Sequence, residues 1–414
     1  MATTTSLPRA SAPPAAPPRP AWRDVYILAG LRGLSFAGDI VAATAITLLL
    51  QANGAGSYAV MALLLAASVP PALLSPVTGK VADRFDSRKL IVTVASLQAV
   101  ICLAMTQTSS PPLLIALAVL LSSGLAFTHP VFAGLPGSMV GKENVPRAAA
   151  ISQTTAMAGM VIAPVVAGLL TATFGVRIPL VLDAASFVLV VLGGLAIKTR
   201  LHKGRSSGAA ASGDQPAYRI RSDRFLRSVL VISGAVMGAA SIINVLIVFY
   251  VRETFGASEQ MYGLVMSAWM VGLVPGALLV RRIKRFRHET ILIGSFLCIA
   301  LGILGTGLAP NAWWIIPFYV LGGLGNGAQA TVTHILLNLR VPDTHRGRAF
   351  AALGAVSNTG PAAGYLLGGV VLHFIEPRYA FLAAGAFALL NLVTFVGGLR
   401  RSADENAAPA PSGA

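Results

Sequence analysis

The chain has 414 residues, 55% of them apolar and only 11% charged, with 31 Lys and Arg against 15 Asp and Glu. Soluble domains carry roughly 25% charge, so composition excludes an ordinary water-soluble fold, and two cysteines are too few for a disulfide scaffold. The net charge of +16 raises nucleic acid as a partner, but the placement of the basic residues described below points to a membrane surface, and no nucleic acid is expected.

Residues 1–21 are rich in Ala, Pro, Ser and Thr and have no apolar core before Trp22. They read as a disordered tail (1–22) and not as a signal peptide. Twelve apolar stretches follow, at 25–50, 57–78, 90–107, 112–134, 148–171, 177–197, 228–251, 260–280, 290–309, 313–337, 348–372 and 378–399. About 20 such residues cross the hydrocarbon of a bilayer. Lipid leaves no partner for free backbone groups, so each span must be a helix or a barrel strand. Barrel strands are about 10 residues long and alternate in polarity; these do neither. The expected architecture is an all-α integral membrane protein with twelve transmembrane helices.

Span 1 carries Arg32 and, seven residues on, Asp39. A carboxylate near mid-span costs about 3 kcal/mol on insertion scales, so Asp39 should face the bundle interior. The two residues share a helical face but lie about 10 Å apart along the axis. Because helical side chains lean toward the N-terminus, Arg32 reaches away from Asp39. Asp39 therefore needs a neighbouring helix, water or a proton, and desolvation favours the neutral acid. Proton coupling and a structural bond are both open at Asp39. Arg32 reads as a snorkelling or gate residue.

Between spans 2 and 3 the chain reads Gly79-Lys80-Val81-Ala82-Asp83-Arg84-Phe85-Asp86-Ser87-Arg88-Lys89. Gly79 permits close helix approach, Asp83 suits the positive N-terminus of a neighbouring helix, and the arginines suit carboxylates or carbonyls. This segment resembles the G-x-x-x-D-R-x-G-R-[RK] motif of the major facilitator superfamily. Gly79, Asp83, Arg84 and Arg88 match, whereas Asp86 and Ser87 depart from it. The resemblance implies the major facilitator fold, two six-helix bundles that rock about a central cavity, with this motif as a cytoplasmic gate latch.

His129 lies toward the cytoplasmic end of span 4, where an imidazole can shuttle protons or simply pack. Span 5 contains Gly159, Ala163, Pro164 and Gly168. Small residues four apart bring backbones together, and the proline removes one helix bond. The run resembles the G-x-x-x-G-P-x-x-G-G motif of proton-coupled exporters, which implies antiport; generic close packing accounts for the same residues. Asp183 stands near the outer end of span 6, where water is expected close by. Arg32 to Asp39, Asp183 to Phe187, Lys142 to Ala148 and Val341 to Asp343 together resemble the macrolide-exporter branch of the drug–proton antiporters.

A basic segment at 198–227, rich in Gly, Ser and Ala, separates the spans six and six, giving bundles at 23–197 and 228–400 and a tail at 401–414. A shift of 201 positions lays Arg147-Ala148 on Arg348-Ala349, Gly159 on Gly360, Gly168 on Gly369 and Arg177 on Arg378. Halves with an even number of spans insert the same way up, as parallel transporter repeats do.

In the second half, Asn244, Trp269, Asn326, Gln329 and Asn358 are polar or aromatic residues on apolar spans, suited to line a cavity or to tie helices. His334 parallels His129 as a shuttle or packing histidine. Gly323 to Ala328 fits the outline G-x-G-x-x-A, but a dinucleotide fold requires a preceding strand, so helix packing is expected there. Of the 31 basic residues, 27 fall on the side of the termini and only Arg177, Arg252 and Arg378 on the other. The positive-inside rule then puts both termini in the cytoplasm of a plasma-membrane protein, and basic loops attract anionic lipid headgroups.

Cys102 and Cys298 lie within spans and read as small buried residues. No metal-ligand cluster, nucleophile–base set or nucleotide-binding loop appears, so an enzyme, a metal and a cofactor are not expected. The sequence reads as a monomeric secondary transporter that exports lipophilic or amphipathic small molecules, of drug or macrolide type, against inward protons. A siderophore or metabolite exporter, a nutrient importer and a non-transporting membrane receptor or scaffold are the alternatives.

Overall fold

The computed structural model describes residues 21–196, 224–283, 286–341 and 346–407. Residues 1–20 of the expected tail, residues 197–223, which take in most of the expected linker, and the tail from 408 lie outside the described residues. Within them are twelve α-helices and no strand. In the first half these are α1 (Trp22–Ala52), α2 (Gly56–Arg84), α3 (Ser87–Met105), α4 (Pro111–Val140), α5 (Val145–Phe174) and α6 (Arg177–Ala196). In the second half they are α7 (Arg224–Phe249), α8 (Glu259–Arg282), α9 (His288–Gly307), α10 (Ala312–Arg340), α11 (Arg346–Phe374) and α12 (Pro377–Ala407). By length and composition, ten of them can cross a membrane. The other two, α10 and α11, have 29 residues each, long enough to span, but dilute their apolar runs with glycines and amides.

Several helices outrun the apolar stretches that announce them. The gate-motif residues Gly79 to Arg84, expected in a loop, form the last turns of α2, and only Phe85 and Asp86 connect it to α3. Likewise α7 begins at Arg224, inside the expected linker, and α12 continues to Ala407, past the expected boundary at 400. Hydropathy marks where lipid ends; backbone hydrogen bonding continues into the water layer. Asp86, which replaces a motif glycine, caps α3 by accepting from the backbone N–H groups of Arg88 (3.0 Å) and Lys89 (3.1 Å). Ser258 and Asn311 cap α8 and α10 in the same way.

The 201-residue repeat is physical. Helices α3 and α9 start at 87 and 288, α4 and α10 at 111 and 312, and α5 and α11 at 145 and 346. Side-chain contacts repeat at the same interval. A Cβ on Gly33 would meet Thr155, and one on Gly234 would meet Val356. Gly159 lies against α1 at Gly33 and Ala37, while Gly360 lies against α7 at Gly234. Each half thus seats its fifth helix on its first through glycine, where backbones can approach without side chains between them.

The halves meet at the distal end, away from Trp22. There Gly168 of α5 abuts Glu259 and Gly263 of α8, and its repeat partner Gly369 of α11 abuts Met61 of α2. Ser57 donates to the Gly369 carbonyl (2.9 Å), and the Tyr58 ring meets His373 at a tilt, with ring centres 5.6 Å apart. On the pseudo-two-fold axis, Arg252 Nε donates to Gln51 Oε1 (3.5 Å), and Gln51 Nε2 donates to Glu253 (3.1 Å). Arg252 also donates to the Ala257 carbonyl (2.7 Å) and pairs with Glu259 (3.6 Å). The seam is closed here by small residues and by a polar cluster.

In the second half, α8, α9 and α10 pack through glycine. Gly323 and Gly327 of α10 press on the α8 backbone at Trp269 and Leu273, and Gly272 and Gly276 return the contact at Val320 and Leu324. The G-x-G-x-x-A outline is therefore a packing stripe. Beyond α7, a π turn at Tyr250–Thr254 turns Tyr250 inward, where its hydroxyl donates to the Thr306 carbonyl (3.0 Å) and its ring meets Phe255 and Phe381. Tyr250→Phe is expected to cost about 1 kcal/mol and to lower the thermal midpoint in detergent. Tyr379→Phe, at a ring 59% exposed, should leave that midpoint unchanged.

Candidate functional site

Two features stand out from the apolar packing, one in each half. In the first half, α1, α3 and α6 converge on two carboxyl groups. Gly38 lets α6 close on α1 so tightly that a Cβ there would strike Asp183 Oδ1 and Ser186 Oγ. Asp183 is fully buried, not washed by water as its position near the span's end suggested. Cys102 Sγ donates to its Oδ2 (3.2 Å), and Ser186 Oγ approaches its Oδ1 (3.4 Å). Asp39, next to Gly38, is near enough to feel the charge of Asp183. Both Asp39 carboxyl oxygens are buried, and neither has a hydrogen-bond partner among the described residues. Among the described residues, one acid is thus held by bonds and the other by none.

Arg32 is half-buried on α1, and His129, exposed on α4, lies within its electrostatic reach. His334 is exposed on α10, where its carbonyl accepts from Asn338.

The second feature is a cavity of about 210 Å³ between α7, α8, α9 and α10. Asn244, Trp269 and Asn326 line it, together with Tyr319 and the methionines Met237, Met266 and Met270. Trp269 and Tyr319 meet edge to face, with centroids 5.5 Å apart. The Tyr365 hydroxyl of α11 contacts Asn244 and Ser241. Gln329 is not on this wall. It is buried and donates to Ser233 Oγ (3.3 Å) and Thr333 Oγ1 (3.1 Å), tying α10 to α7. The side chain of Asn358 lies outside the described residues.

In the motif that ends α2, the Asp83 side chain also lies outside the described residues. Arg84 is exposed. Arg88 donates to the Leu195 carbonyl (2.7 Å), satisfying an orphan acceptor at the end of α6. The span-5 residues divide their work: Gly159 and Ala163 face α1, while Pro164 and Gly168 face α8 across the seam. Sequence reading missed Cys102 as a partner of Asp183, Tyr319 as cavity wall, and the Gln51–Arg252 contact. The last was accessible, because Gln51 and Arg252 are 201 residues apart.

Twelve long helices in two repeated bundles joined at a distal seam, with a buried acid pair in the first half and a cavity in the second, define a major facilitator transporter. The chain belongs to the family of that superfamily described as transmembrane secretion effectors, matched over residues 20–411. It is similar to the MFS-type transporter YfiS of Bacillus subtilis, 25% identical over 81% of this chain and 83% of that one. It is also similar to the enterobactin exporter EntS of Escherichia coli, 26% identical over 76% of each chain. The fold matches that of the nucleoside transporter NupG, with a TM-score of 0.71 at 14% identity over 90% of this chain and 99% of that one.

Proposed function

We propose that this transporter exports a lipophilic or amphipathic small molecule by proton antiport, its bundles rocking about the seam. The observation that carries the proposal is Asp39, a carboxyl within a span whose oxygens are buried without a hydrogen bond among the described residues. A group so costly to insert, and held by no structural bond among the described residues, is suited to taking up and releasing a proton. Asp183, close by and fixed by Cys102, gives that proton an electrostatic neighbour. With both termini cytoplasmic, as the basic loops favour, the closed distal seam faces outward and the state is inward-facing. Gly79, Asp83, Arg84 and Arg88 then form the gate on the cytoplasmic side.

The motif resemblance favours a drug- or macrolide-type cargo. A siderophore or metabolite cargo draws support from the likeness to EntS across three-quarters of both chains. Lipids at the basic loops and a monomeric state complete the reading.

The test is accumulation in an efflux-deficient host offered dyes, antibiotics and siderophores. Expression should lower the intracellular level of particular compounds, and collapse of the pH gradient should abolish the difference. Unchanged accumulation of the whole panel, with the protein verified in the membrane, would overturn export.

A further inference from the structure

The second-half cavity has a chemistry that a general efflux role does not specify. Among the described residues its only ionisable lining residue is Tyr319; no Asp, Glu, Lys, Arg or His reaches the wall. The repeat sharpens this point, because Ala240, which lines the cavity, lies 201 positions after Asp39. The same scaffold site holds an acid in one half and a methyl group in the other.

The remaining wall is aromatic, amide and thioether. Trp269 and Tyr319 offer ring faces and edges, which favour stacked or edge-on aromatic partners. Methionines adapt their shape and make favourable sulfur–aromatic contacts. Asn244 is engaged by Tyr365, whereas no hydrogen bond engages the Asn326 amide among the described residues. That amide presents a donor and an acceptor to the cavity. At about 210 Å³ the space suits one or two fused rings, since about 150 Å³ admits benzene. Gly322 sets its width, because a Cβ there would run into the six-membered edge of the Trp269 indole.

We propose that this cavity binds an uncharged planar aryl group bearing a hydrogen-bonding substituent, the ring against Trp269 and Tyr319 and the substituent on Asn326. The proposal rests on the export reading for its biological use, but its chemistry stands on the cavity alone.

The test is equilibrium binding of four tritiated probes to the full-length protein in nanodiscs: 2-naphthamide, 2-ethylnaphthalene, 2-naphthoate and 2-naphthylmethylammonium. Binding of 2-naphthamide should be saturable and about tenfold tighter than that of the two charged probes, which lack a counter-charge on the wall. Asn326→Leu should weaken 2-naphthamide roughly fivefold to tenfold and leave 2-ethylnaphthalene unchanged. Gly322→Ala should weaken every probe, and Trp314→Phe, at an exposed ring outside the cavity, none. Equal binding of all four probes would mean lipophilic partitioning and overturn the proposal. So would preference for the ammonium probe, or indifference of 2-naphthamide to Asn326→Leu in a variant that stays monodisperse. If 2-naphthamide binds as expected while no compound is exported, the export reading fails and the aryl site stands. Asp39-dependent export without saturable naphthamide binding gives the reverse.

Discussion

Asp39→Asn is expected to abolish uphill export while leaving the protein folded and able to exchange substrate. One proton descending 100 mV supplies about 2.3 kcal/mol, enough for a concentration ratio of nearly fifty. An amide cannot carry that proton, so the steady-state ratio in proteoliposomes with an imposed gradient should fall to about one. Counterflow, which needs no proton, should continue. Neither Asp39 oxygen has a hydrogen-bond partner among the described residues, so the substitution removes no bond, and the thermal midpoint should not drop. That pairing of results separates a proton carrier from a structural acid, which would lose stability. An Asn variant that still concentrates substrate like the parent would sink the coupling role. Asp183→Asn is the companion case: an amide oxygen can still accept from Cys102, so any loss of coupling there reports charge and not packing.

The second large effect is expected at the seam. A Cβ on Gly263 would collide with the Pro164 carbonyl and come within 3.3 Å of the Gly168 Cα. Neither obstacle is a flexible side chain, so valine there must push α8 away from α5. Overpacking of this kind costs typically 1–3 kcal/mol, and it falls only on the state in which the distal seam is closed. The equilibrium between access states should then move about tenfold or more toward distal opening. A Ser57→Cys reporter, whose parent hydroxyl bonds Gly369 across the same seam, should react about tenfold faster with an impermeant maleimide added at the distal face. Gly263→Ala should produce a smaller step in the same direction. Unchanged labelling in a folded Gly263→Val protein would show that the seam is not what holds the distal end shut.

Much of the scaffold was legible because lipid imposes a blunt rule: a span must be apolar and about 20 residues long. That rule found all twelve helices, and laying the sequence on itself found the repeat, down to the offset that the helix starts at 87 and 288 obey. It misjudged where helices end, as in α2, because chain beyond the lipid can stay helical without being apolar. The site was legible only where chemistry contrasts with lipid. Asp39, Asn244 and Asn326 stand out in greasy runs, whereas Tyr319 and Met270 look like filling until the fold turns them toward one space. The Cys102–Asp183 bond was hidden for another reason. It depends on the rotational register of α3 against α6, which Gly38 sets from a third helix, and no pattern along one span encodes that.

Gln51 and Arg252 carry a final consequence. A residue on the axis between two identical subunits must confront its own copy, so an arginine there would face an arginine. Here the two copies are segments of one polypeptide and vary independently, which lets a guanidinium meet an amide and, beside it, a carboxylate. Covalent fusion of the copies thus gives the junction a lopsidedness that no assembly of like chains can adopt. The same freedom lets an acid stand at 39 opposite an alanine at 240, separating the group that can hold a proton from the wall that can hold a ring.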